Sequence, residues 1–121
     1  MWDKELNVAR QAARDAGKTL KDLFGRVNHV TKKGKTDLVT EADFAAEKLI
    51  MDMIQKSFPQ DGFVAEEAGE HRSNASRVWF IDPLDGTVNF AHAFPFFAVS
   101  IGLQVNGDAV LGVVFNPYMD E

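Results

Sequence analysis

Two pairs of carboxylates each follow a short apolar run in this 121-residue sequence. Glu66 and Glu67 come directly after Gly-Phe-Val-Ala, and Asp82 and Asp85 lie in Asp-Pro-Leu-Asp-Gly-Thr, directly after Val-Trp-Phe-Ile. Short apolar runs rich in β-branched and aromatic residues are typical of buried strands. The sequence therefore predicts two strands that carry carboxylates at their C-terminal ends, where three or four of them meet if the strands are neighbours.

Such a group of carboxylates is electrostatically unfavourable unless a proton or a cation relieves it. Two like charges about 4 Å apart repel by roughly 4 kcal/mol at an effective dielectric constant of about 20. Carboxylate and carbonyl oxygens favour Mg²⁺, Mn²⁺ or Ca²⁺ over Zn²⁺. We therefore predict a site for one or two hard divalent cations. The alternative is an ordinary surface turn, since Asp, Pro and Gly are common turn residues.

A backbone turn through the same hexapeptide predicts a place for a phosphate. Pro83 fixes its own φ and favours an extended conformation at Asp82, whereas Gly86 permits a tight turn. The carboxylates of Asp82 and Asp85, three residues apart across such a turn, can converge on one point. The backbone N–H groups of Gly86 and Thr87 can then face a phosphate, as they do at helix N-termini and in backbone nests.

Three segments together resemble the inositol monophosphatase family of metal-dependent phosphatases. Residues 37–43 resemble its D-x-V-T-x-x-D segment, and residues 62–67 resemble its strand ending in G-E-E, with Ala65 in place of the usual Gly. Residues 82–90 resemble its D-P-[LI]-D-G-T-x-N-F signature. The order and spacing of these segments agree with the family across nearly the whole chain.

The resemblance implies metal ligands and a site for the attacking water. Glu66, Asp82 and the carbonyl of Leu84 would hold a first Mg²⁺ or Mn²⁺ ion. Asp82 and Asp85 would share a second ion. Glu66 and Thr87 would orient the water that attacks phosphorus. Two metal ions about 4 Å apart can activate a water, hold the phosphate and stabilise the leaving oxygen.

The resemblance also implies contacts with the substrate. Lys32, five residues before Asp37, matches a lysine near the active site of the family, and Lys33 or Lys35 takes this place if the local alignment is slipped. The N–H groups of the Gly-Thr pair would hold the phosphate. The residues implied in substrate binding are Glu66, Leu84, Asp85, Gly86, Thr87 and Lys32.

Asp43 has two interpretations. The resemblance places it among the catalytic residues, near the site and in contact with a third cation through waters. A structural alternative is that Asp43 is the N3 residue of a T-x-x-D capping box that begins at Thr40.

The resemblance implies a phosphomonoesterase for a small-molecule phosphate ester, namely inositol monophosphate or a related sugar phosphate. Relatives of the family hydrolyse fructose 1,6-bisphosphate, histidinol phosphate or 3′-phosphoadenosine nucleotides. The ending Asn89-Phe90 is closer to the inositol branch than to the T-K-E-F ending of the nucleotide branch. A different class of function is a non-catalytic binding or regulatory module that keeps the fold.

Length and composition set the broad class. A chain of 121 residues fits one domain, and its net charge of −5 lacks the basic footprint of nucleic-acid binders. There is no Cys, which excludes disulfides and thiolate metal sites. No stretch approaches the roughly 18 apolar residues of a membrane-spanning helix, and the N-terminus does not resemble a signal peptide. We therefore expect a cytoplasmic protein with neither nucleic-acid nor membrane partners.

Members of the family are about twice as long as this chain, and their second half supplies an Asp that completes the second metal site. We therefore expect residues 1–121 to be the N-terminal metal- and phosphate-binding domain of a longer protein, without its C-terminal domain. The isolated chain should hydrolyse substrate poorly. The full-length form is expected to be a homodimer.

The elements that position these residues follow from periodicity. Apolar residues at helical spacing predict a helix over residues 3–24 that Gly25 ends, and a second over 41–57. Residues 28–40 are predicted to form an extended hairpin. Alternation over 99–105 and 109–115, joined by Asn-Gly, predicts an antiparallel hairpin. The fold class predicted is α+β, with helices packed on a mainly antiparallel sheet, as in the first half of an αβαβα layered sugar-phosphatase fold.

Overall fold

The computed structural model of the chain describes residues 1–26, 32–66, 68–71, 74–86, 90 and 97–117, with the backbone alone for residues 32–36. Two helices, α1 and α2, precede a sheet of five strands in the order β2-β1-β3-β4-β5. Strands β1 and β3 are parallel, and the other neighbours are antiparallel. The predicted α+β class with a mainly antiparallel sheet is confirmed. The elements are α1 (Asp3–Phe24), α2 (Lys32–Ser57), β1 (Gly62–Ala65), β2 (Gly69–His71), β3 (Arg77–Asp85), β4 (Ala98–Val105) and β5 (Asp108–Phe115).

Helix α1 has the predicted bounds, and Gly25 follows it. The apolar residues at helical spacing are buried except for Leu6, which is half-buried, and Glu5 and Ala12 are buried beside them. The apolar set is Leu6, Ala9, Ala13, Ala16, Leu20 and Leu23. Half of the buried positions of α1 are Ala and one more is Gly, so α2 and the sheet can approach the helix backbone closely. At Gly17 the approach is closest, since a Cβ there would lie 2.8 Å from the ring of Phe115.

Helix α2 is longer than predicted. It begins at Lys32, so the extended conformation predicted for residues 32–40 is wrong, and residues 28–31 lie outside the described part of the chain. Thr40 is inside the helix, so the predicted capping box with Asp43 is also wrong. The physical reason is that the buried stripe of α2 begins at Leu38, before the predicted start of the helix at residue 41. Its members, spaced by four, are Leu38, Ala42, Ala46, Ile50 and Ile54.

The hairpin formed by β4 and β5 is confirmed. Asn106 and Gly107 both have positive φ, 52° and 84°, as a type I′ turn requires. Strand β2 was not predicted, because its three residues, Gly-Glu-His, lack an apolar alternation. Instead β2 is formed by antiparallel pairing with β1.

Both helices pack on one face of the sheet. The buried side chains of β3 and β4 on that face include Trp79, Ile81, Ile101 and Leu103. Phe80, which alternates with Trp79 and Ile81, is exposed on the opposite face. Neither α1 nor α2, the helices of the described ranges, is apolar enough over a sufficient length to cross a membrane.

Candidate functional site

The two strands that carry the candidate carboxylates are neighbours. Strands β1 and β3 are parallel and pair as far as Ala65 and Ile81. Glu66 directly follows the last ladder residue of β1, and Asp82 directly follows the last β3 residue paired with β1. The predicted meeting of these two carboxylates requires this register to continue by one residue, and it remains a prediction.

A β-bulge at the end of β3 determines where its two aspartates lie. Asp82 pairs with Ser100 and Asp85 pairs with Ala98, so two residues of β3 lie opposite one residue of β4. Side chains three residues apart in a regular strand lie on opposite faces of the sheet. The extra residue of a bulge corrects this alternation, so both carboxylates lie on the same face.

The two residues inside the bulge are Pro83 and Leu84, and both are buried. Asp82 and Asp85 on either side of them are exposed. Pro83 has no N–H group to donate to the ladder, which explains why the regular pairing is interrupted here. The bulge thus buries two apolar side chains and leaves two carboxylates together on the open face.

The strand continues through Asp85, whereas the sequence predicted a tight turn across residues 82–85. The turn begins at Gly86, whose φ of 94° is in the region that glycine favours. The carbonyl of Gly86 accepts a hydrogen bond of 3.0 Å from the N–H of Phe90. Phe90 is fully buried, and its ring lies 5.5 Å from that of Phe24 and 5.1 Å from that of Phe97. These ring contacts hold Phe90 against the end of α1 and against Phe97, the residue before β4.

The aspartate pair has an electrostatic signature. Partial burial raises the pKa of Asp82, the charge of Asp85 raises it further, and a hydrogen bond from the Leu84 backbone opposes the shift. A raised pKa means that the ionised pair is destabilised in the folded chain. A cation relieves this repulsion, and an oxygen donor set fits a hard divalent cation.

The side chains do not yet form a closed ligand cage. Within the described ranges, no three His, Asp or Glu residues lie close enough together to hold a metal ion. Glu67 and Thr87 lie outside these ranges, so their predicted positions remain predictions. The described residues supply the aspartate pair and, directly after the last ladder residue of β1, Glu66.

Helix α2 carries two buried carboxylates, Asp43 and Glu47, one turn apart. Glu47 Oε2 accepts a hydrogen bond of 3.0 Å from the backbone N–H of Ala68, two residues after Glu66. Asp43 thus lies one helical turn from the contact between α2 and the loop that bears Glu66. Sequence reasoning missed Glu47, although an acidic residue next to the buried stripe of a helix was a usable signal.

Lys32 is the first residue of α2. Asp43 is eleven positions further along the helix, which is about 16 Å along the helix axis. The predicted contact between Lys32 and a substrate phosphate remains a prediction.

Comparison with known proteins identifies the family. A sequence model of the inositol monophosphatase family matches residues 1–121. The chain belongs to the inositol monophosphatase family. The inositol-1-monophosphatase of Mesorhizobium japonicum is 47% identical over 119 residues, covering 96% of this chain and 45% of that protein. The fructose-1,6-bisphosphatase/inositol-1-monophosphatase of Aquifex aeolicus is 42% identical over 120 residues, covering 98% of this chain and 46% of that protein.

A solved structure of the family has the same fold. The extragenic suppressor protein suhB of Bartonella henselae superposes with a TM-score of 0.86 at 41% identity, covering 98% of this chain and 46% of that chain. The inositol monophosphatase fold is therefore shown for nearly all of the present sequence. The chain spans a little under half the length of these family members.

Proposed function

We propose that this chain is the N-terminal metal- and phosphate-binding part of a phosphomonoesterase that hydrolyses inositol monophosphate or a related sugar phosphate. The observation that carries the proposal is the β-bulge of β3, which brings Asp82 and Asp85 to one face, at the end of the sheet where Glu66 follows β1. Membership of a family whose named members include inositol monophosphatases supports the substrate class.

The proposed metal ligands are those at the shared end of β1 and β3. Glu66, Asp82 and the carbonyl of Leu84 would hold one Mg²⁺, for which Mn²⁺ could substitute. Asp82 and Asp85 would hold a second ion, with a further ligand from the C-terminal half of the longer protein. The raised pKa of Asp82 supports this assignment, because a cation relieves the repulsion from Asp85.

The proposed reaction needs mainly positioning and charge stabilisation, since phosphoryl transfer places little covalent demand on the protein. Glu66 and the hydroxyl of Thr87 orient the attacking water on the phosphorus. The backbone N–H groups of Gly86 and Thr87 hold the phosphate oxygens, with Lys32 as a further cationic contact. Asp43 is proposed as a further catalytic residue, on helix α2 behind the loop that carries Glu66. Bound Mg²⁺ supplies the positive charge that lowers the pKa of water and stabilises the leaving oxygen.

A second candidate substrate is fructose 1,6-bisphosphate. The observation that favours it is the Aquifex aeolicus relative, which is named for both activities and is 42% identical to this chain. Both substrates present a phosphate monoester to the same carboxylates, so the difference between them lies in the residues that contact the alcohol.

For the longer protein we propose a cytoplasmic homodimer.

The proposal is tested by titrating Mg²⁺ into the chain by calorimetry. We expect saturable binding that Asp82→Asn abolishes. The matched control is Asp108→Asn, which removes the same charge at the far end of the sheet, where Val105 pairs with Arg77 and with Asp108. Equal binding by the wild-type chain and Asp82→Asn would contradict the assignment.

The substrate is tested by phosphate release from inositol 1-phosphate, fructose 1,6-bisphosphate and a 3′-phosphoadenosine nucleotide. We expect the longer protein to prefer inositol 1-phosphate and to require Mg²⁺, and the 121-residue chain to be much less active. Binding of a protein partner with no turnover of any of these esters would favour a non-catalytic module instead.

A further inference from the structure

Glu47 is a buried charged residue with a defined backbone partner. Its side chain belongs to α2, and only 3% of the residue is exposed. Charged side chains are seldom buried to this degree, because loss of hydration is costly unless hydrogen bonds replace it. The carboxylate oxygen Oε2 accepts a 3.0 Å hydrogen bond from the N–H of Ala68, 21 residues away in sequence.

The loop that this bond holds is the one that carries Glu66. Strand β1 ends at Ala65 and β2 begins at Gly69, and these two residues pair with each other. Glu66 is therefore the first residue after β1, and Ala68 the last residue before β2, in the connection between these antiparallel strands. Glu47 ties Ala68 to the helix layer behind the sheet.

Glu66 lies one residue beyond the last ladder pair between β1 and β3. A side chain beyond the end of a ladder has no pairing to fix its backbone, so its direction depends on the loop that follows. The bond from Ala68 to Glu47 supplies a fixed point on the other side of Glu66. The backbone of Glu66 is thus fixed by the sheet before it and by α2 after it.

We propose that Glu47 is a positioning residue, which sets the affinity of the metal site by fixing the loop that presents Glu66. This inference rests on the proposed function of the site. Glu47 acts through the backbone of Ala68. Groups that orient metal ligands from outside typically change metal affinity by about 10- to 100-fold when they are removed.

The test compares variants of Glu47 in the same chain. Glu47→Gln keeps an oxygen acceptor for the Ala68 N–H, whereas Glu47→Ala removes it. In calorimetric titration with Mg²⁺, we expect Glu47→Gln to bind within about threefold of the wild-type chain and Glu47→Ala to bind about 10- to 100-fold more weakly. If Glu47→Ala does not fold, Glu47→Asp, whose side chain is one methylene shorter, makes the same comparison.

A matched control separates positioning from a general loss of stability. Ile54 is buried in α2 two turns after Glu47. We expect Ile54→Ala to lower the melting temperature at least as much as Glu47→Ala, yet to leave the Mg²⁺ affinity of the folded chain unchanged. A loss of affinity in Ile54→Ala equal to that in Glu47→Ala would overturn the inference, because it would show a merely structural effect.

A second readout follows the hydrogen bond itself. Amide hydrogen exchange at Ala68 should be slow in the wild-type chain and in Glu47→Gln, and fast in Glu47→Ala. Fast exchange in the wild-type chain, or wild-type Mg²⁺ affinity in Glu47→Ala, would overturn the inference while leaving the proposed function intact. Absence of Mg²⁺ binding by the wild-type chain would instead contradict the proposed function, and this inference with it.

Discussion

At the first residue of β3, Arg77 lies between two carboxylates, whereas near its last residue Asp82 and Asp85 lie beside each other. The Nη1 atom of Arg77 lies 3.0 Å from Glu5 Oε2, and its Nε donates to both oxygens of Asp61 at 3.0 and 3.1 Å. The pKa of Asp82, by contrast, is raised by burial and by its acidic neighbour.

The Arg77 end is also enclosed by aromatic groups. The guanidinium lies 5.2 Å from the ring centre of Phe58 and 5.8 Å from that of Trp2, and Trp79 Nε1 donates a 2.9 Å hydrogen bond to Asp61. Helix α1 and the start of β1 are thereby joined to β3. At the Arg77 end, a cation within the described residues compensates the negative charges of Glu5 and Asp61. At the other end, burial and the charge of Asp85 raise the pKa of Asp82, which favours the binding of a cation there.

The largest effect is expected from Arg77→Met. Removal of the guanidinium takes away the cation that contacts both Glu5 and Asp61, whose side chains are largely buried, and breaking buried pairs costs about 3–5 kcal/mol. Urea denaturation should therefore show a loss of this size. Arg10→Met, at an exposed position of α1, is the control and should change stability by less than about 0.5 kcal/mol. Equal stability of the two variants would contradict the compensating role of Arg77.

A smaller effect is expected from Trp79→Phe. The change removes the hydrogen bond to Asp61 and part of a buried ring, so the free energy of unfolding should fall by about 1–3 kcal/mol. Thermal unfolding measures the loss. The Mg²⁺ affinity of the folded chain should not change, since Trp79 lies on the face of β3 that packs against the helices and the aspartate pair lies on the other face. A changed affinity would show that the two ends are coupled.

The two ends of β3 should also differ in how their carboxylates make stability depend on pH. Burial acts to raise the pKa of Glu5, but backbone hydrogen bonding and Arg77 outweigh it, so the pKa lies below its usual 4.5. A carboxylate with a lowered pKa stabilises the fold above about pH 4.5, and this contribution is lost as pH falls through the folded pKa. Glu5→Gln should therefore be about 1–2 kcal/mol less stable than the wild-type chain at pH 7.

The difference in free energy of unfolding between Glu5→Gln and the wild-type chain should become smaller as the pH is lowered below about 4.5. Denaturant unfolding at several pH values measures it. A gap that stays constant down to acid pH would show that the charge of Glu5 does not contribute, and that the variant acts through packing alone.

The smallest effect is a gain in stability from Asp82→Asn in the absence of metal. A carboxyl with a raised pKa stabilises the fold when protonated, and this contribution is lost as pH rises through the folded pKa. Removing the charge at pH 7 should therefore add a few tenths of a kcal/mol, because Asp82 is exposed and solvent screens its repulsion. Asp108→Asn is the control, and a lower stability of Asp82→Asn would contradict the account.

Some elements of the fold could be predicted from short sequence patterns. Asn106-Gly107 between two alternating runs predicted the hairpin, and the apolar run before Asp82 predicted a strand with a carboxylate at its end. The sequence could not show that β1 and β3 are neighbours, and only the structure gives their parallel register. The prediction that Glu66 lies near Asp82 depends on that register.

The remaining features depend on contacts that leave no local pattern. The sequence indicated a turn at Asp-Pro-Leu-Asp, because the pairing of β3 with β4 on both sides of the bulge is a long-range contact that the local sequence does not reveal. The predicted start of α2 was wrong because Lys-Lys-Gly-Lys resembles a turn, whereas Leu38 is buried in the core and extends the buried stripe of the helix toward its N-terminus. The position of Glu47 beside the buried stripe of α2 indicates a buried carboxylate, but its partner Ala68 lies 21 positions away and has no local signal.

The most direct test of the central claim is the order of stability of the wild-type chain and Asp82→Asn with and without Mg²⁺. In the presence of a chelator, Asp82→Asn should be slightly more stable. At Mg²⁺ about 100-fold above its dissociation constant, the wild-type chain should gain about 2.7 kcal/mol and become the more stable of the two. Reversal of the order would support a cation site built from the aspartate pair. An unchanged order, with Mg²⁺ stabilising neither chain or both equally, would contradict it.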